Sequence, residues 1–157
     1  MVELIVGMGE YVVTDREDDT IRTFSLATCV GITVYCPQKK AAGMLHVVLP
    51  APFTIKDKQE RPSYFAETGV PLLIHEVCRK FGCRKEELLI QMYGGAEPRL
   101  EQDIYSIGEK NIDAVKDALL RMGLTISKAD LRGKDSRTIS MEVKTGVVEV
   151  NRQSIIR

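Results

Sequence analysis

The side chains best suited to nucleophilic or metal chemistry are few: Cys29, Cys36, Cys78 and Cys83, with His46 and His75. No Cys-x-x-Cys pair occurs, whereas tetrahedral zinc sites draw ligands from closely spaced pairs. His75, Cys78 and Cys83 are near in sequence, but Cys29 and Cys36 offer no matching second pair, so no metal is assigned. No cofactor is assigned either. Gly7-Met8-Gly9 has Val12 where a dinucleotide fingerprint needs its third glycine, and Tyr93-Gly94-Gly95 lacks the Lys-Ser/Thr of a phosphate loop. Both read as turns, the second also as a close backbone approach. His75 falls on an amphipathic helical pattern and reads as a structural, half-exposed residue. Cys29 and His46 differ from the rest, because both fall inside apolar stretches whose packing requires neither.

A Cys–His pair has a definite use. A free thiol with a pKa near 8.5 is only a few per cent thiolate at neutral pH. An adjacent imidazolium stabilises the thiolate and later protonates a leaving group, so that acyl transfer runs through a thioester. A third polar group normally orients the histidine; Thr23, Ser25 and Thr28 are the local hydroxyl candidates. If 28–35 and 41–49 form a hairpin centred between Pro37 and Gln38, Cys29 stands directly opposite His46 on one sheet face. Val30 then pairs with Leu45, and Ile32 with Gly43, on the other face. Opposed side chains have Cβ atoms about 4.5–5.5 Å apart. A slip of one residue would destroy the pairing.

Positioning these residues is the work of the surrounding elements. The chain has 157 residues, 44% hydrophobic and 28% charged, with 22 basic and 22 acidic side chains. This length suits one domain that buries roughly 70% of its unfolded surface. Zero net charge argues against a nucleic-acid backbone as partner and against a polybasic membrane anchor. The apolar runs are far short of the ~20 residues that span a bilayer. The N-terminus lacks a basic n-region and reads as a strand, not a signal peptide. With no export signal, the cysteines are expected to be reduced.

Strands are expected at 4–7, 11–14, 21–25, 28–35 and 41–49, then at 88–93, 124–128 and 138–144, with a hairpin return at 147–150. The stretch 51–62, with Pro52, Pro62 and a charged run, reads as a loop. Ser63 is a candidate cap for a helix carrying Val70, Leu73, Ile74, Val77 and Phe81 and stopped by Gly82; Pro71 either sits in its first turn or kinks it. A second helix runs from near Gly108 to Gly123 on Ile112, Val115, Leu119 and Met122. Arg132, Lys134, Asp135 and Arg137 read as a solvent-exposed charged loop. The fold class is α+β: mixed or antiparallel β-sheets packed together and flanked by two or three helices.

Along nearly its whole length the sequence resembles the CheD family of chemoreceptor glutamine deamidases. The family's Thr followed by Leu-Gly-Ser-Cys-Val corresponds to Thr23 and Leu26-Ala27-Thr28-Cys29-Val30. Its Ala-His-x-Met-Leu-Pro corresponds to Leu45-His46-Val47-Val48-Leu49-Pro50. Three later blocks follow in order: Gly94-Gly95-Ala96, Ile107-Gly108-Glu109-Lys110-Asn111 and Thr145-Gly146-Val147-Val148. The resemblance implies a fold similar to the deamidase domain of cytotoxic necrotizing factor toxins, and one CheD-like domain over 1–157. It implies Cys29 as nucleophile on a receptor glutamine, His46 as base and acid, and Thr23 as the group orienting His46. It implies cytoplasmic chemoreceptor domains as substrate and, in some bacteria, the CheC phosphatase as a partner competing with the receptor. The sequence departs from the pattern at Ala27-Thr28 (Gly-Ser in the family), Phe65-Ala66-Glu67 (Tyr-x-Asp), Glu97-Pro98-Arg99 and Arg132-Gly133 (Gly-Gly). If the family glycine needs a positive φ, Ala27 would be strained by about 1 kcal/mol. Ala27 and Thr28 favour the alternative reading, a CheD-like module that docks on receptors or CheC with little catalysis.

Overall fold

The computed structural model describes residues 1–97 and 105–155. Pro98 and Arg99, part of one departure noted above, lie outside them. Among the described residues, nine strands build two mixed sheets. The first sheet contains β1 (Glu3–Ile5), β3 (Thr20–Leu26), β8 (Asp135–Glu142) and β9 (Val148–Ser154), in the order β1-β3-β8-β9. The second contains β2 (Tyr11–Thr14), β4 (Val30–Cys36), β5 (Ala41–Val47), β6 (Leu89–Gly94) and β7 (Lys128–Leu131), in the order β2-β5-β4-β6-β7. The α-helices among the described residues are α1 (Ile55–Glu60), α2 (Ala66–Phe81) and α3 (Ile107–Arg121).

The two sheets and the helices form three layers, with the second sheet in the middle. Every residue of β4 and β5 is buried, which is why these strands read as continuous apolar runs rather than alternating ones. Their two faces divide cleanly. Val30, Ile32, Val34, Cys36, Ala41, Leu45 and Val47 pack with Val70, Leu73, Ile74, Val77, Ile112 and Val115 of α2 and α3. Cys29, Tyr35, Ala42 and Met44 face the other way, toward Ile21, Leu26, Ile139 and Met141 of the first sheet. The expected α+β class with packed sheets and flanking helices is what the chain adopts.

Several local expectations are corrected. The β4–β5 hairpin pairs Cys36 with Ala41, Gly31 with His46, Val30 with Val47 and Ile32 with Leu45. It is therefore centred between Gln38 and Lys39, two residues on from the expected register. Its connection is a four-residue turn closed by Lys39 N–H to Cys36 O (3.2 Å), with Lys40 at φ 49°. A two-residue shift preserves the face of every side chain, since strands have a period of two. The 51–62 stretch is not all loop. Thr54 caps the short helix α1, accepting from Asp57 N–H at 3.0 Å. Ser63 does not cap a helix: its hydroxyl donates to Gly9 O (2.6 Å), and α2 begins at Ala66, with Pro71 inside it and Gly82 closing it at φ 67°. The strand expected at 124–128 forms at 128–131 instead, parallel to β6. Arg137 is buried, donating to Asp130 and to Arg132 O, so it ties the loop down rather than facing solvent. His75 is exposed. All four cysteines are free thiols.

Candidate active site

β3 belongs to the first sheet and β4 to the second, so residues 27–29 carry the chain across the gap between them. The crossing is prepared by a register irregularity between Thr23 and Leu26 in the β3–β8 pairing, with Ser25 at φ 55°. Bulges of this kind re-aim side chains at sheet edges. Thr23 thus belongs to the first sheet, and Cys29 sits one residue before β4 of the second. His46 lies on β5, on the inter-sheet face. The register puts Gly31 directly opposite His46 and leaves Cys29 on the diagonal, where Cα atoms are about 7–8 Å apart. The direct opposition expected from sequence is corrected to this diagonal arrangement.

Thr23 is fully buried, and its Oγ1 lies 2.7 Å from His46 Nδ1 and 2.7 Å from Val6 O. A hydroxyl has one proton to give. The Val6 carbonyl can only accept, so the Thr23 hydroxyl donates to it and accepts from His46 Nδ1–H. That fixes the neutral tautomer with its lone pair on Nε2. His46 Nε2 is buried and has no hydrogen-bond partner among the described residues. It is a base with a free lone pair in the space between the sheets. Neither Ser25, which is exposed, nor Thr28 takes this orienting role.

Electrostatics here differ from the ion pair that sequence chemistry suggests. Burial pushes the Cys29 thiol up from 9.0 to about 11 and pulls the His46 imidazole down from 6.5 to about 4. Both shifts have the same cause, the cost of removing a charge from water. At neutral pH the pair is a thiol and a neutral imidazole.

The backbone around the thiol is held from three sides. Gly95 N–H donates to Cys29 O (2.9 Å) and Ala96 N–H to Ala27 O (2.8 Å). Asn111 Nδ2, on α3, donates to Thr28 O and to Val48 O, each at 3.0 Å. Gly94 has φ 110°, and a Cβ there would lie 2.3 Å from Cys29 O. Only glycine admits that approach. The close backbone approach that the sequence allowed for Gly94-Gly95 is what the structure shows, whereas residue reasoning gave Asn111 no part. Val6, acting through its carbonyl, leaves no side-chain signal at all. Ala27 is not among the residues with positive φ, so the strain considered for it is absent.

The sequence profile described as CheD chemotactic sensory transduction matches residues 48–152. A protein of Syntrophotalea carbinolica named "Probable chemoreceptor glutamine deamidase CheD" is 42% identical over 154 residues, covering 96% of this chain and 94% of that protein. The chain belongs to the CheD family. A relative of the same name from Pyrococcus horikoshii is 34% identical, covering 97% of this chain and 93% of its own length. The CheD profile begins after His46, but these full-length matches extend across Thr23, Cys29 and His46. Among solved structures, the hypothetical protein YfiH of Bacillus licheniformis superposes with a TM-score of 0.51 at 11% identity over 78% of this chain. This chain spans about half (49%) of that protein's length, and the likeness is one of fold.

Proposed function

We propose that this CheD family member is a protein-glutamine deamidase, converting side-chain carboxamides of glutamines in chemoreceptor cytoplasmic domains to glutamates that can be methylated. The observation that carries this reading is the buried Thr23–His46 hydrogen bond, which leaves Nε2 unpartnered on the face shared with Cys29. His46 Nε2 takes the Cys29 proton as sulfur attacks the carboxamide carbon, and the carbonyl oxygen becomes an oxyanion. The intermediate collapses as the imidazolium protonates the departing nitrogen, releasing ammonia and leaving a thioester. Water then attacks the thioester, giving up a proton to His46. The thiol is regenerated and the side chain leaves as glutamate. Thr23 holds the imidazole in the required tautomer throughout.

Residues 1–157 act in this reading as one CheD-like domain in the cytoplasm, where receptor signalling helices are accessible and thiols stay reduced. No described helix is long and apolar enough to cross a membrane. A CheC-type phosphatase is a second partner, competing with the receptor. The test is incubation with purified receptor cytoplasmic domains and mass spectrometry of the glutamine-bearing peptides. Gln-to-Glu conversion is expected from the wild type and none above background from Cys29→Ala or His46→Ala. Receptor binding without conversion would replace the enzyme reading with that of a docking module.

A further inference from the structure

The β4–β5 ladder stops at Val30–Val47. One step further, where Cys29 and Val48 would form the next rung, the strands are bridged by a side chain. Asn111 is fully buried, and its two N–H bonds are spent on Thr28 O and Val48 O. Its Oδ1 is buried with no hydrogen-bond partner among the described residues. Because its neighbours are both acceptors, the amide cannot be flipped to satisfy that oxygen. Leaving a buried carbonyl unpaired is costly, so packing alone gives no reason for an asparagine here.

Peptide planarity shows what the bridge achieves. In a trans peptide the C=O and the following N–H point in opposite directions. Thr28 O is drawn toward α3, whose Ile112 and Val115 pack on the helix face of the central sheet. Cys29 N–H therefore points away from Asn111 and stays free of the clamp, on the nucleophile's own residue. The bond from Ala96 N–H to Ala27 O fixes the preceding peptide in the same manner. Neither Thr28 N–H nor Cys29 N–H has an acceptor among the described residues.

We propose that Asn111 is a positioning residue for deamidation: by clamping Thr28 O to Val48 O it locks the 28–29 peptide so that Cys29 N–H donates to the oxyanion formed at the substrate carboxamide. The inference rests on the proposed reaction and assigns it an oxyanion donor together with the side chain that aims it. Asn111 touches no reacting atom.

The experiment compares wild type with Asn111→Ala and Asn111→Asp in two reactions. Receptor deamidation passes through an oxyanion. Alkylation of Cys29 by iodoacetamide, followed at the Cys29 peptide by mass spectrometry, displaces iodide and forms none. The variants are expected to lose about 100-fold in kcat, the order seen when one oxyanion donor is removed. KM and the Cys29 alkylation rate should stay within about threefold of wild type. A kcat within about threefold of wild type, or alkylation that changes in step with kcat, overturns the proposal. If both variants fail to fold, the wild type decides: a peptide aldehyde analogue of the substrate glutamine forms a hemithioacetal on Cys29, and the Cys29 amide proton should move downfield in NMR. An unmoved amide proton overturns the proposal. Wild-type protein that converts no receptor glutamine refutes the deamidase reading itself, and is recognised as such before any variant is made.

Discussion

Thr23 illustrates how much can depend on one hydroxyl proton. Its donation to Val6 O leaves it able only to accept from His46 Nδ1. Thr23→Val keeps the shape and removes both bonds, freeing the imidazole to adopt the other tautomer. A fall in kcat on the order of 100-fold is expected, with KM little changed and Thr23→Ser largely restoring the rate; steady-state kinetics on a receptor fragment check it. Cys29, His46 and Thr23 were all legible as candidates, because a thiol and an imidazole inside apolar strands are conspicuous and because the resemblance supplied the third position. What was not legible was their charge state. The imidazolium–thiolate picture ignores burial, and burial drives both groups neutral. The Val6 carbonyl and the two amide bonds of Asn111 were equally hidden, since backbone acceptors have no residue type and a lone asparagine on a helix resembles any polar surface residue.

At the scale of elements, the site is a crossing between two sheets braced by a glycine turn. Gly94 carries the tightest brace. With φ 110° and Cys29 O 2.3 Å from where a Cβ would stand, Gly94→Ala must either displace the 27–29 crossing or distort β6. A loss of about 1–3 kcal/mol in denaturant unfolding is expected, together with a fall in turnover larger than that destabilisation explains. Strand existence was well marked by apolar runs, and helix α2 by its stripe and its Gly82 stop. Register was not. The turn between β4 and β5 has Lys40 rather than glycine at positive φ, so nothing in its composition marked the centre. The expected hairpin kept the right face only because its error was two residues. The strand misplaced at 124–128 failed for another reason: β7 is a parallel edge strand with little burial, and the apolar residues before it, Leu124 and Ile126, pack against the helix-side core instead.

For the whole molecule, the buried pair links protonation to stability. His46 titrates near 6.5 when unfolded and near 4 when folded. Between those values the unfolded chain binds the extra proton, so stability is complete above about pH 6.5 and is lost as pH falls toward 4, by about 3 kcal/mol in all. Cys29 acts with opposite sense: its folded value is raised from 9.0 to about 11, so stability declines as pH rises through that window. Tm measured from pH 7 down to pH 4 should fall for the wild type and fall less steeply for His46→Gln, the carboxylates common to both proteins providing the baseline. A wild-type slope no steeper than that of the variant would show that His46 titrates normally in the folded chain.

The three-layer order has one more consequence. The hydroxyl that selects the histidine tautomer rides on one sheet, and the imidazole and thiol ride on the other. The position of a single proton on His46 is therefore an internal gauge of whether the two sheets are in register with each other. Any event that slides or parts them, whether a bound partner or a distant substitution, disarms the base without touching it.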